Sequence, residues 1–226
     1  MTVRENKSFH TTPNFGVHVS AAGGIQHVPE HAHQLGCACF QMFSRSPRGG
    51  RQVLAKEMIE GFRAGCAQFG YTPADIVIHT PYYINLASPD RRIWRNSIRI
   101  VREELQRADA LGIGYAVTHL GSAMDRPEAE GRKNAAASLA EIVRGRDGGS
   151  RLLLEFSAGA GAIIGDTFEE VGEIMAKSGG DFGVCLDTCH VFASGCELRS
   201  PAAIKAMVAD LDRHLGILQL QVAGLV

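Results

Sequence analysis

Four short apolar runs in this sequence each stop at a residue type that binds divalent metal. Ile76-Val77-Ile78 ends in His79, Tyr115-Ala116-Val117-Thr118 in His119, Leu152-Leu153-Leu154 in Glu155, and Phe182 to Leu186 in Asp187. Parallel α/β folds present their chemistry at the C-terminal tips of strands, so successive tips of this kind define one mouth. The segments between them are long enough to be crossover helices.

The rest of the chain keeps the same alternation. Phe15 to Ser20 reads as strand one, followed by a turn at Ala21 to Gly24 and a helix to about Leu35. Ala38 to Phe43 is strand two, and Val53 to Phe69 a helix. Pro89 and Asp90 open a long helix to Leu111, with Ile93, Ile100, Val101, Leu105 and Ala108 at helical spacing. Pro127 to about Arg144 is the next helix, Thr167 caps another, and Asp187 leads into a loop. Pro201 starts the last helix, and Ile217 to Val222 reads as a seventh strand. Strict β-α alternation argues for parallel strands with right-handed crossovers. Ligands on successive tips favour an α/β fold of the (β/α)8 TIM-barrel type over an open sheet, with about six and a half units present. The expected organisation is a polar tail over 1–14 and one barrel domain over 15–226.

Composition excludes little. Hydrophobic residues make up 45% of the chain and charged residues 21%, with a formal net charge of -1, so any nucleic-acid binding must come from a local basic face. No apolar stretch approaches the roughly 20 residues that span a bilayer, and the N-terminus lacks a signal-peptide apolar region. Six cysteines without a disulfide framework read as cytosolic thiols, which places the protein in the cytoplasm. Cys185 and Cys189 flank Asp187, but buried structural cysteine is the commoner fate.

His79, His119 and Glu155 form an imidazole-imidazole-carboxylate set suited to zinc, iron or manganese, and Glu155 can bridge to a second ion that Asp187 also contacts. His190, three residues beyond Asp187, cannot easily reach the same ion once the chain has turned, and either serves a neighbouring one or is simply a loop histidine. His18 reads as a hydrogen-bonded interior residue, and His27, His31 and His33 as a solvated helix face. Arg45, Arg48 and Arg51 follow strand two, and Tyr82 and Tyr83 follow strand three. Guanidinium groups beside aromatic rings on the metal-bearing rim are what a nucleic-acid cleft needs.

Five stretches carry a family resemblance. They are Gly16-Val17-His18-Val19-Ser20-Ala21-Ala22-Gly23-Gly24, His79-Thr80-Pro81-Tyr82-Tyr83-Ile84-Asn85-Leu86, His119-Leu120-Gly121-Ser122, Leu154-Glu155 with Ala158-Gly159, and Gly183-Val184-Cys185-Leu186-Asp187-Thr188-Cys189-His190. Together, over about residues 15 to 217, they resemble endonuclease IV, the zinc-dependent apurinic/apyrimidinic (AP) endonuclease family with a xylose-isomerase-like TIM barrel. The resemblance implies up to three zinc ions: the first on His79, His119 and Glu155, the second partly on Glu155 and Asp187, the third partly on His190. It implies that Arg48, Tyr82 and Tyr83 enter the minor groove and hold the abasic nucleotide flipped out. The implied reaction is hydrolysis of the phosphodiester 5′ to an abasic site in double-stranded DNA, by a monomer, with Glu155 and Asp187 as catalytic residues.

The sequence departs from that family pattern in places. Phe156-Ser157 and Ala160 stand where polar residues are usual, and Gln219 to Val226 stands where a zinc histidine beside Asn-Asp is expected. The expectation is a C-terminally truncated barrel with one complete zinc site, impaired cleavage and exposed edges that favour association. A metal-dependent sugar isomerase or epimerase on the same barrel, and an inactive metal- or DNA-binding fragment, are the alternatives.

Overall fold

The computed structural model describes residues 14–49 and 53–224. Seven strands form one sheet in the order β1 to β7, and every neighbouring pair is parallel. They are β1 (Gly16–His18), β2 (Cys39–Phe43), β3 (Ile76–His79), β4 (Tyr115–Thr118), β5 (Arg151–Glu155), β6 (Gly183–Asp187) and β7 (Leu220–Gly224). The helices are α1 (Val28–Gln34), α2 (Lys56–Phe69), α3 (Arg91–Leu111), α4 (Glu128–Val143), α5 (Phe168–Ser178), α6 (Thr188–Ala193) and α7 (Pro201–Leu215). None of the described helices is long and apolar enough to cross a membrane.

Why the sheet forms a TIM-type barrel wall is legible in its side chains. Strand residues alternate between faces. Ile76, Ile78, Ala116, Leu152, Leu154, Val184 and Leu186 pack outward among the helices. Val77, Val117, Leu153 and Cys185 form a separate cluster on the inner face. Strands buried on both faces read as continuous apolar runs, as these do. Two residues beyond each inner position, on the same face, come His79, His119, Glu155 and Asp187. The inner core layer and the metal-ligand layer above it are one alternation.

Several boundaries move. Strand one shortens to Gly16–His18 and lies at one end of the sheet order, with Phe15 74% and Val17 52% exposed. His18 is therefore exposed rather than interior, though its Nδ1 accepts a hydrogen bond from Gln41 Nε2 at 3.1 Å and its ring packs on Phe43. Ile217–Gln219 is a 3-10 turn, so β7 begins at Leu220. The segment after Asp187 is a helix, not a loop. Asp187 caps it by accepting the His190 N–H at 2.9 Å. Thr167 caps α5 as expected, accepting the Glu170 N–H, and Pro201 stands in the first turn of α7.

At the opposite end of the barrel a carboxylate fixes the α4–β5 connection. Asp109, in the last turn of α3, accepts two bonds from Arg146 Nη2 (2.8 and 2.7 Å) and one from the Ser150 N–H (2.8 Å). Partial burial pushes the Asp109 carboxyl up, but the Ser150 and Arg146 donors outweigh it and hold it below the usual carboxylate range. A carboxyl depressed on folding adds stability that is present above its unfolded value and lost as pH falls through its folded one. Asp109→Asn should therefore cost about 1–3 kcal/mol at neutral pH. In urea melts the deficit should shrink below about pH 4, where the wild-type group also protonates. A deficit unchanged down to about pH 2.5 would show that the charge is not what holds this corner.

Candidate metal centre

Each ligand is delivered by the last residue of a strand or the first residues after it. His79 and Glu155 close β3 and β5, His119 follows β4, Asp187 closes β6, and His190 lies one turn into α6. His79 Nε2 is 2.9 Å from Glu155 Oε2, and His119 Nε2 is 3.4 Å from the same oxygen. His190 Nδ1 is 3.4 Å from Glu155 Oε1 and 3.7 Å from Asp187 Oδ2. Two groups of potential ligand atoms result, His79-His119-Glu155 and Glu155-Asp187-His190, each with its atoms within 4.8 Å of one another. Glu155 belongs to both.

The orientation of the rings follows from their second nitrogens. His79 Nδ1 lies 2.6 Å from the Thr80 carbonyl, which can only accept, so Nδ1 carries a hydrogen and Nε2 faces Glu155. In His79 the nitrogen tied to the carbonyl is the one away from Glu155, which is the usual support of a metal-binding histidine. His190 differs: Nδ1, the nitrogen nearest Glu155 and Asp187, itself lies 2.9 Å from the Phe156 carbonyl, so it would have to exchange that carbonyl for an ion in order to ligate from here. Beneath His79, the Thr80 and Thr118 hydroxyls are hydrogen-bonded at 3.0 Å and fully buried.

Electrostatics favours a cation here. Burial opposes charge on Glu155, but the His79 bond and the three surrounding imidazoles hold its carboxyl below the ordinary range. Burial lowers the basicity of His119, and the His79 and His190 charges reinforce that, so its imidazole is held in the neutral, ligating form. For His79 burial is outweighed by Glu155, the Thr80 carbonyl and Asp187, and its basicity rises. Asp187 is 1% exposed, and its Oδ2 has no hydrogen-bond partner. A buried, unsatisfied carboxylate oxygen beside two other oxygen and nitrogen ligands is what a divalent ion would satisfy. The donor set, imidazole nitrogen and carboxylate oxygen without thiolate, fits zinc, manganese or iron.

The family model for the xylose isomerase-like TIM barrel matches residues 29–222. A probable endonuclease 4 from Methanosphaerula palustris is 41% identical over 217 residues, covering 93% of this chain and 75% of that protein. The chain belongs to the endonuclease IV family. Endonuclease IV from Thermus thermophilus superposes with a TM-score of 0.78 at 32% identity, covering 93% of this chain and 75% of that one. A D-tagatose 3-epimerase-like protein shares the fold (TM-score 0.66, 20% identity, 88% of this chain and 72% of that one).

Set beside the family expectation, the structure brings all five ligand candidates to one mouth and corrects two readings. His190 does not stand apart: the cap at Asp187 starts a helical turn that swings it back over Glu155. Nor does Arg45 offer its charge to the rim. It is ion-paired with Glu103 at 3.0 Å and with the fully buried Glu104, whose other oxygen accepts the Ser44 hydroxyl at 2.5 Å. Arg45 thus anchors the β2–α2 loop. Arg48 is exposed, and lines a groove with Tyr83, Asn96 and Arg99 beside the mouth. Tyr82, 71% exposed, leans over the mouth with its ring 6.0 Å from that of His79. Arg51 lies outside the described residues.

Neither Cys185 nor Cys189 joins the clustered ligand atoms, and burial drives the Cys185 thiol far from ionisation. His27 and His33 are exposed beside and on α1, as expected, whereas His31 is half-buried. Sequence reasoning missed Phe43, whose ring meets His79 (5.7 Å), Tyr82 (5.2 Å) and His18 (4.6 Å). Only its place at the end of a strand was visible in the sequence; its pairing with His79 appears in the sheet register. Asn85 was also missed. It accepts the Ala87 and Ser122 N–H groups and donates to the Ser122 carbonyl, tying the tyrosine loop to the loop after His119. Gly121 allows this approach, because a Cβ there would lie 2.2 Å from Asn85 Oδ1.

Because Glu155 is shared, Glu155→Gln should weaken zinc binding by more than the roughly 10–100-fold typical of residues outside the ligand set. Calorimetric titration of the metal-free protein checks this. Zinc should also raise the melting temperature of the wild type and not of the variant. Equal zinc affinity in both proteins would remove Glu155 from the centre.

Proposed function

We propose that this chain is a zinc-dependent DNA-repair endonuclease that hydrolyses the phosphodiester 5′ to abasic sites in duplex DNA. The observation that carries the reading is a pair of ligand groups sharing Glu155, next to an arginine- and tyrosine-lined groove. Family membership supports it: the relatives named above carry the endonuclease name. Likeness to the epimerase-like protein is a matter of fold alone.

In this reading His79, His119 and Glu155 hold one ion, and Glu155, Asp187 and His190 contribute to a second. Bound zinc would polarise the scissile phosphate and activate water for in-line attack. The chain's own side chains do the rest. Glu155 and Asp187 present carboxylate oxygens at the reacting centre, and the Thr80 carbonyl keeps His79 from rotating away. Arg48, which forms no ion pair among the described residues, offers its guanidinium to a backbone phosphate near the lesion. Tyr82 and Tyr83 supply ring faces on which a flipped-out nucleotide or its neighbours stack, with Phe43 backing Tyr82. A damaged site favours this route because unstacking costs least where a base is already missing. We assign the protein to the cytoplasm, acting as a monomer, as part of the same proposal.

The test is a duplex with one abasic site, labelled at its 5′ end. The wild type should bind it more tightly than intact duplex, and any nick should fall on the 5′ side of the lesion and vanish on zinc removal. Arg48→Ala should weaken binding about tenfold, the scale of one charge-assisted bond of about 1.5 kcal/mol. It should also reduce the slope of log K against log salt by about 0.9. Equal affinity for intact and abasic duplex, or cleavage indifferent to zinc, would overturn the proposal.

A further inference from the structure

The outer face of α3 carries a charge pattern that the metal centre does not explain. Between Asp90 and Arg102 stand five arginines and a single carboxylate. Asp90 is committed to the backbone, where it accepts the Arg92 and Ile93 N–H groups as the helix cap. Arg91, Arg92, Arg95 and Arg99 are exposed. Among the described residues Arg91, Arg92 and Arg95 form no ion pair with a carboxylate, whereas Arg99 pairs with Glu103. Arg91 lies over the Trp94 ring at 4.3 Å.

This arrangement works against the helix that bears it. Arg91 and Arg95 are four residues apart and Arg92 and Arg95 three, spacings at which like charges repel. They also occupy the first turns of α3, the positive end of the helix dipole, and no acidic side chain stands in its first turn. Arg91 gains the Trp94 ring and Arg99 gains Glu103, but for Arg92 and Arg95 no such partner stands among the described residues. A polyanion would relieve both strains.

Position selects the polyanion. The N-terminal end of α3 follows the Tyr82–Tyr83 loop, so the cluster lies at the rim that carries the metal ligands. Arg99 and Asn96 line the same groove as Arg48 and Tyr83, which makes the charged surface continuous from that groove onto the helix. Arg92, Arg95 and Arg99 follow one another at three and four residues, about 4.5 and 6 Å along the helix axis. Duplex DNA carries a phosphate about every 3.4 Å along each strand, so these long side chains can reach neighbouring or alternate phosphates of one strand.

Resting on the endonuclease reading above, we propose that Arg92 and Arg95 form an outlying phosphate track, which grips DNA beyond the lesion and extends the footprint from the Arg48 groove along α3. The track reads no sequence. It adds affinity, salt dependence and a preference for longer duplexes.

The experiment compares two abasic-analogue duplexes of about 12 and about 24 base pairs, roughly 40 and 80 Å long. The scissile linkage is replaced by a methylphosphonate so that no nick occurs, and binding to the full chain is read by fluorescence anisotropy across a salt titration. The wild type should bind the longer duplex with the steeper salt slope. Arg92→Glu/Arg95→Glu should raise Kd for it about tenfold or more and flatten its slope by about 1.8, two contacts' worth. The shorter duplex should be bound alike by both proteins. Arg92→Lys/Arg95→Lys should keep the steep slope, and Arg92→Gln/Arg95→Gln gives the same readout as the glutamate pair should the latter fail to fold by circular dichroism. An identical slope for wild type and charge-altered variant on the longer duplex would overturn the track. So would retention of the wild type on phosphatidylserine vesicles with no gain from duplex length. An intact duplex of about 24 base pairs serves as the control; binding it as tightly as the abasic one, with the length effect present, would instead overturn the endonuclease reading and leave a general DNA-binding face.

Discussion

The structure depends on a two-residue step in four adjacent parallel strands. Val77, Val117, Leu153 and Cys185 fill the inner face of the wall, and the next position of the same parity holds His79, His119, Glu155 and Asp187. Because parallel register fixes neighbouring strands without slippage, packing one layer positions the other. A slip of one residue in any of these strands would turn an apolar side chain into the mouth and a ligand into the helical layer. The apolar core beneath therefore sets the geometry of the site above it.

Such a mouth gathers carboxylates and imidazoles where little water reaches, and the protein surrounds that concentration with fixed polar contacts. Backbone carbonyls of Thr80 and Phe156 orient two of the imidazoles. Asn85 ties two rim loops together, and the buried Glu104, held by Ser44 and Arg45, ties down a third. Burying Glu104 is tolerable only because those partners are present. Asp187 Oδ2 is one of several buried polar atoms left without a hydrogen bond, and unlike Glu104 Oε1, which faces the Arg45 guanidinium, it faces the ligand cluster.

Much of this was legible in the sequence because apolar runs ending in ligands are local signals. The ends of β3, β5 and β6, the span of α3 and the convergence of His79, His119 and Glu155 all follow from residues close together in the chain. What was not legible depends on distant partners. Arg45 reads like Arg48 until Glu104, far along the chain, claims it. His190 reads as turned away until Asp187 is seen to cap the helix that returns it. Phe43 is an ordinary strand phenylalanine until the register sets it beside His79. The arginines of α3 were visible as letters, but their exposure and the scarcity of acidic partners needed the packed helix.

The central claim is that this layer of strand tips is a metal centre. It is tested most directly by anomalous scattering at the zinc edge from crystals grown with zinc. The account predicts a peak with His79 Nε2, His119 Nε2 and a Glu155 oxygen about 2.0–2.2 Å away. A second should touch Asp187 Oδ2, the oxygen without a partner. A zinc-soaked crystal with no peak at the mouth, and His79 still hydrogen-bonded to Glu155, would contradict it.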